Sequence, residues 1–184
     1  MTRADAVEQL AASIAGLRPG HAARVAIDGV DGAGKTMLAD ELVEPLRRAG
    51  RQVVRASVDG FHNPRAVRYA RGPDSAEGYF LDSFDYAALK RELLEPLGPT
   101  GDGSFRTVVF DYRTDRAVQA PRQVAPRDAV LLFDGVFLSR AELRGSWDMT
   151  VCMYLAQCRP LEQADIVFDN TVLDRPRVVT RDAG

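Results

Sequence analysis

Eight consecutive residues, Gly29-Val30-Asp31-Gly32-Ala33-Gly34-Lys35-Thr36, constrain this chain more than any other stretch. They fit the pattern Gly-x-x-x-x-Gly-Lys-[Ser/Thr] without a mismatch. Gly29, Gly32 and Gly34 permit backbone dihedrals that residues with a Cβ resist, so successive N–H groups can turn inward on an anion. A helix that follows presents its own unpaired N–H groups to the same anion. The pattern assigns phosphate contacts to Gly29, Asp31, Gly32, Ala33, Gly34, Lys35 and Thr36. Lys35 reaches terminal phosphates, and the Thr36 hydroxyl is a ligand for Mg²⁺. Composition adds weight, because only two of the 24 basic side chains are lysines, Lys35 and Lys90. A chain that otherwise uses arginine places a compact point charge where the loop needs one. The alternative is a glycine-rich turn that binds nothing.

The loop requires a buried strand before it and a helix after it. Arg24 to Asp28 reads as a short apolar strand. Beyond the loop, Leu38, Leu42, Val43 and Leu46 recur at helical spacing, and Gly50 is a stop signal. Pro45 lacks an N–H, so a bend or early fraying is expected there. Residues 2–16 form a leading helix. Strands are expected over residues 52–58, 105–112, 129–133, 149–154, 164–168 and 178–180. Helices are expected over 85–97 and 139–143. Residues 63–82 are polar with little periodicity and read as a functional loop, and 111–122 as a basic loop. Strands alternating with helices predict an α/β fold, a parallel sheet with helices on both faces, in a single domain spanning residues 1–184. Ligands of such sheets gather at the carboxyl ends of the strands.

Asp59 and Asp134 end two of those strands. Asp134 follows Val130-Leu131-Leu132-Phe133 and is placed to hold Mg²⁺ or its water shell; its other role is to cap the following turn. Asp59 can accept a proton from a hydroxyl attacking a γ-phosphate, or simply form a turn with Gly60. Lys35 and Asp59 are thus the candidate catalytic pair. His62 is a substrate contact or a solvated loop residue. Arg106, Arg113 and Arg116 could meet phosphates or hydroxyls, against a background of surface arginines. Tyr79, Phe80, Phe84 and Tyr86 read first as a satellite core and second as a pocket lining.

A formal net charge of −2 supplies no basic field for nucleic acid. No apolar run reaches membrane-spanning length, and no signal peptide is apparent. Cys152 and Cys158 match no zinc or thioredoxin spacing and read as buried thiols in the cytoplasm. A homo-oligomer is left open. A GTPase switch is disfavoured because the chain has no Asn-Lys-x-Asp segment, and an ABC-type ATPase because it has no Leu-Ser-Gly-Gly segment.

The ordered series Gly29–Thr36, Ser57-Val58-Asp59-Gly60-Phe61-His62 and Glu77-Gly78-Tyr79-Phe80-Leu81-Asp82-Ser83-Phe84-Asp85 resembles the uridine kinase and phosphoribulokinase group of P-loop kinases. Phe110-Asp111-Tyr112, Phe133-Asp134-Gly135-Val136-Phe137-Leu138 and Ala164-Asp165-Ile166-Val167-Phe168-Asp169-Asn170 continue the likeness. The Asp-Gly-Phe-His piece is also similar to the pantothenate kinase branch. The resemblance implies the P-loop NTPase fold and transfer of the γ-phosphoryl group of ATP, with Mg²⁺, to the hydroxyl of a small molecule, most simply a nucleoside. It implies Asp59 as general base, Asp134 in the metal shell, and His62, Tyr79, Phe110, Tyr112 and Arg113 toward the acceptor. The stretch from Asn170 to Pro176 would lie near the adenine. Two departures stand out. No histidine follows Phe110-Asp111-Tyr112, where uridine kinases carry one that holds the base. The arginine-bearing lid is also shortened, near residues 151–160, leaving Arg159 as a partial substitute. A catalytically impaired ATP-binding protein and a pantothenate- or sugar-type kinase are the alternatives.

Overall fold

The computed structural model describes residues 2–153, 164–169 and 175–180. Helix α1 (Arg3–Ala15) starts on a reciprocal cap, in which the Thr2 side chain accepts from the Asp5 N–H and the Asp5 side chain accepts from the Thr2 N–H. Strand β1 (Ala23–Gly29) is buried along its whole length. The expected helix after the loop is two helices, α2 (Lys35–Glu41) and α3 (Val43–Arg48), divided at Leu42. The break comes one turn before Pro45, which has no N–H to offer the carbonyl of Glu41.

Strand β2 (Val53–Ser57) leads into a 3₁₀ turn over Val58–Phe61. The supposed loop 63–82 contains two short helices, α4 (Arg65–Arg68) and α5 (Ala76–Asp82). The second begins where the Ser75 hydroxyl accepts the Gly78 N–H at 3.0 Å. Helix α6 (Tyr86–Leu89) passes into a π-helical turn over Lys90–Leu94, closed by Glu95 N–H to the Lys90 carbonyl at 2.9 Å. The expected helix over 85–97 is therefore only partly α.

The expected strand over 105–112 is not one strand. Its backbone changes partners midway: Arg106 N–H donates to the Glu92 carbonyl and Val109 N–H to the Gly60 carbonyl. What remains are two small antiparallel ladders. Strand β3 (Ser104–Phe105) pairs with β6 (Gln123–Val124), and β4 (Phe110–Asp111) pairs with β5 (Arg116–Ala117).

Strand β7 (Val130–Gly135), β8 (Met149–Met153), β9 (Ile166–Asp169) and β10 (Arg177–Thr180) complete the main sheet, whose order is β10-β9-β8-β1-β7-β2. Five strands run parallel, but β10 is antiparallel to β9, so the sheet is mostly rather than wholly parallel. Residues 139–143, expected as helix, are turns before a 3₁₀ turn at Arg144–Ser146. Phe137 sits at φ 61°, outside helical backbone, and the Ser139 N–H donates to the Asp28 carboxylate at 2.9 Å.

Alternation along the strands sends side chains to both faces. Val25, Ile27, Val130 and Leu132 pack with Leu10, Ile14, Leu38 and Leu46 from α1 to α3. Ala26, Leu131 and Phe133 pack on the other side with Phe61, Leu89, Leu93 and Phe105. The central strands are covered on both faces, which leaves their carboxyl ends as the open place for a ligand. Cys152 is buried, as expected. Cys158, Arg159 and most of the lid stretch, with 170–174 of the adenine-side segment, lie outside the described residues.

Candidate active site

The loop after β1 is built from left-handed glycines. Gly32 has φ 76° and Gly34 has φ 87°, conformations that an L side chain resists, and the Ala33 N–H closes the turn on the Val30 carbonyl at 3.2 Å. Gly29 serves a different purpose. A Cβ there would stand 2.6 Å from the Met153 carbonyl oxygen, so a side chain would push β1 off β8. Asp28, buried before it, accepts the Gly29 N–H at 2.9 Å and the Ser139 hydroxyl at 2.7 Å. That carboxylate ties the entry of the loop to the turn after β7.

The Lys35 ammonium donates to the Val30 carbonyl at 2.8 Å, across its own loop, which holds it at the mouth with two N–H groups to spare. Thr36 donates its hydroxyl proton to Oδ2 of Asp134 at 2.7 Å. The register explains the meeting: Asp134 stands opposite Ile27 of β1 and Ser57 of β2 near the end of the sheet. Oδ1 of Asp134 accepts from Nη1 of Arg55 at 3.0 Å. A hydroxyl and a carboxylate are hard oxygen donors, and they suit a divalent cation that keeps waters and phosphate oxygens in its shell. Among the described residues no three His, Cys, Asp or Glu gather as a metal-holding group.

Asp59 lies in the 3₁₀ turn after β2, with its side chain 60% exposed and Oδ1 3.5 Å from Nε2 of His62. That histidine is not solvated. It is 12% exposed, its Nδ1 lies 3.1 Å from the Ser83 carbonyl, and its ring packs against Phe84 at 4.6 Å and Tyr112 at 4.8 Å. Hydrogen bonding from His62, followed by the positive charges of His62, Lys35 and Arg113, holds the Asp59 carboxyl below its ordinary pKa, against the burial that would raise it. Asp59 is thus electrostatically coupled to the loop lysine.

Tyr79 on α5 donates its hydroxyl to Oδ2 of Asp31 at 2.7 Å, joining the second helical segment to the phosphate loop. Burial first, then this bond and the neighbouring carboxylates, raise the Tyr79 pKa and keep the phenol protonated. The four aromatics divide. Phe84 is buried in the main core and Tyr86 packs against it, whereas Tyr79 and Phe80 are 41% and 42% exposed and meet Phe137 edge-on at 5.2 and 5.0 Å.

These groups enclose a cavity of about 470 Å³ at the carboxyl ends of β1, β2 and β7. Asp31, Gly32, Gly34, Lys35 and Thr36 line one part, and Asp59, His62, Tyr79 and Tyr112 another, with Asp134 also in the wall. Two further candidates are placed otherwise: Phe110 is 8% exposed, and neither it nor Arg113 is in the lining. Gly29 and Ala33, also expected to contact phosphate, are not in the lining. Sequence reasoning missed Arg55, Asp28 and Ser139. Arg55 carried a signal, being an arginine in a strand otherwise apolar or small, four residues before Asp59.

A phosphate loop after the central strand, a carboxylate on the neighbouring strand and helices on both sheet faces define an α/β P-loop NTPase fold. The solved structures it is similar to have the same architecture. One is described as a possible uridine kinase from Bacillus stearothermophilus, with a TM-score of 0.73 and 24% identity over 90% of this chain and 98% of that one. Another is described as a fructose transport system kinase from Silicibacter sp. TM1040, with a TM-score of 0.63 and 23% identity over 79% of this chain and 73% of that one. No family model matches the chain, and no curated protein matches its sequence significantly.

Proposed function

We propose that this protein is a small-molecule kinase that transfers the γ-phosphoryl group of ATP to an alcohol, most simply the hydroxyl of a nucleoside. The observation that carries the reading is that Asp59 lines the same cavity as Gly32, Gly34, Lys35 and Thr36 of the phosphate loop. In this reading the triphosphate lies on the backbone N–H groups between Gly32 and Thr36, with Lys35 neutralising charge at its outer end. Thr36 and Asp134 would hold Mg²⁺, which would neutralise charge on the β- and γ-phosphates. Asp59 takes the proton of the attacking hydroxyl while that oxygen bonds to phosphorus and the bond to the departing ADP breaks. The rings of His62, Phe84 and Tyr112 give a planar base a surface to lie against.

A second reading replaces the nucleoside by a sugar. It is supported by the likeness to the fructose transport system kinase and by the histidine missing after Tyr112. A panel of nucleosides, sugars and pantothenate with Mg·ATP tests both readings. ADP release accelerated by one class identifies the acceptor, and acceleration by none, together with an unchanged Asp59→Asn variant, overturns the kinase.

A further inference from the structure

Arg55 has no part in the chemistry above, yet it is ion-paired with Asp134. It sits on β2, opposite Leu132 of β7, and its side chain is 23% exposed. Its Nη1 donates to Oδ1 of Asp134 and to the Leu132 carbonyl, both at 3.0 Å. Its Nε donates to Oδ1 of Asp40 on α2 at 3.0 Å, and its Nη2 is ion-paired with the same oxygen at 2.9 Å. One planar guanidinium therefore spans the strand that carries Asp134 and the helix that begins with Lys35 and Thr36.

The two ends of this bridge differ. The Asp40 side chain is 66% exposed, so its pairing is loosened by water and salt. The Asp134 side chain is 3% exposed, and a carboxylate in such surroundings takes the orientation its partners set. Arg55 fixes one oxygen and the Thr36 hydroxyl fixes the other, so the plane of the carboxylate is determined from both sides. An ionised carboxylate has about four lone-pair sites. With one on each oxygen engaged, those remaining belong to a carboxylate that lines the cavity.

We propose that Arg55 is a positioning residue for the divalent cation, acting through Asp134: by gripping Oδ1 it presents the remaining lone pairs to a cation bound with the nucleotide. This rests on the reading of Thr36 and Asp134 as the cation-holding pair. Lysine cannot replace it, because a single ammonium cannot form the fork that reaches Asp134, the Leu132 carbonyl and Asp40 together.

The test is calorimetric titration of the whole protein with ATP, once in EDTA and once in magnesium chloride. The readout is the ratio of the two affinities. In Arg55→Gln and Arg55→Lys, metal-free ATP affinity stays at the wild-type level while the gain from magnesium falls about 10- to 100-fold. Asp40→Asn, which cuts only the exposed end of the bridge, keeps most of the gain. An Arg55→Gln or Arg55→Lys protein with the full magnesium gain overturns the proposal. So does loss of metal-free and magnesium-bound affinity by the same factor, which would make Arg55 a structural tie. A wild-type protein that binds ATP with no gain from magnesium overturns the assignment of Thr36 and Asp134 as well.

Discussion

At the scale of single residues, Asp59 and His62 make the sharpest electrostatic statement. His62 hydrogen bonding is the largest cause of the depressed Asp59 pKa. In the proposed reaction Asp59 must be ionised to accept the proton, so the acid limb of kcat/KM is expected below the ordinary aspartate range, with activity lost as pH drops through that depressed value. The sign for stability is the same. A carboxylate with a lowered folded pKa contributes stability above its unfolded pKa, and this is lost as pH falls through the folded one. In His62→Gln the acid limb moves up toward the ordinary range, which a pH–rate profile reads directly. A limb that stays in place removes His62 as the partner. Gly34 offers a second check, because its φ of 87° forces any side chain into the left-handed region. Gly34→Ala is expected to lose roughly 1–2 kcal/mol of stability. Urea titration can follow this through Trp147, the single tryptophan, whose ring stacks on buried Phe133 at 5.5 Å. Residues within one motif were readable because their chemistry depends on neighbours in sequence. Arg55 and Asp134, and Asp28 and Ser139, meet only through strand register and a distant turn, which no local pattern encodes.

At the scale of elements, the helix after the loop shows how a local rule acts. Pro45 was expected to bend it, and the division at Leu42 lies where the missing N–H takes effect. Proline near the start of α3 has no intrahelical bond to break. Pro45→Ala supplies the N–H that the Glu41 carbonyl lacks, so α2 and α3 should run on through Leu42, with a stability change in urea titration of no more than about 1 kcal/mol as the freer unfolded chain offsets the new bond. A gain of several kcal/mol would mean that the proline strains one continuous helix. The long central strands were legible from apolar runs. Residues 105–112 were not, since they look extended but hand their N–H groups to Glu92 and Gly60. Helix α5 escaped notice because its apolar side chains at Tyr79, Phe80 and Leu81 are exposed and follow no helical period.

At the scale of the whole molecule, sheet order is what assembles the site. With β1 between β7 and β8, and β2 beyond β7, the phosphate loop, Asp134 and Asp59 emerge side by side at one edge. Alternation of strand and helix made the α/β class legible, whereas the antiparallel β10 was not, because nothing in Val178–Thr180 encodes direction. The central claim is that Asp59 and the phosphate loop act on one γ-phosphoryl group. Rapid-quench measurement of phosphoryl transfer from Mg·ATP to the best acceptor, in wild type and Asp59→Asn, tests it most directly. The account predicts transfer slowed about 10²- to 10⁴-fold in the variant with ATP affinity retained. Equal transfer rates in the two proteins would contradict it.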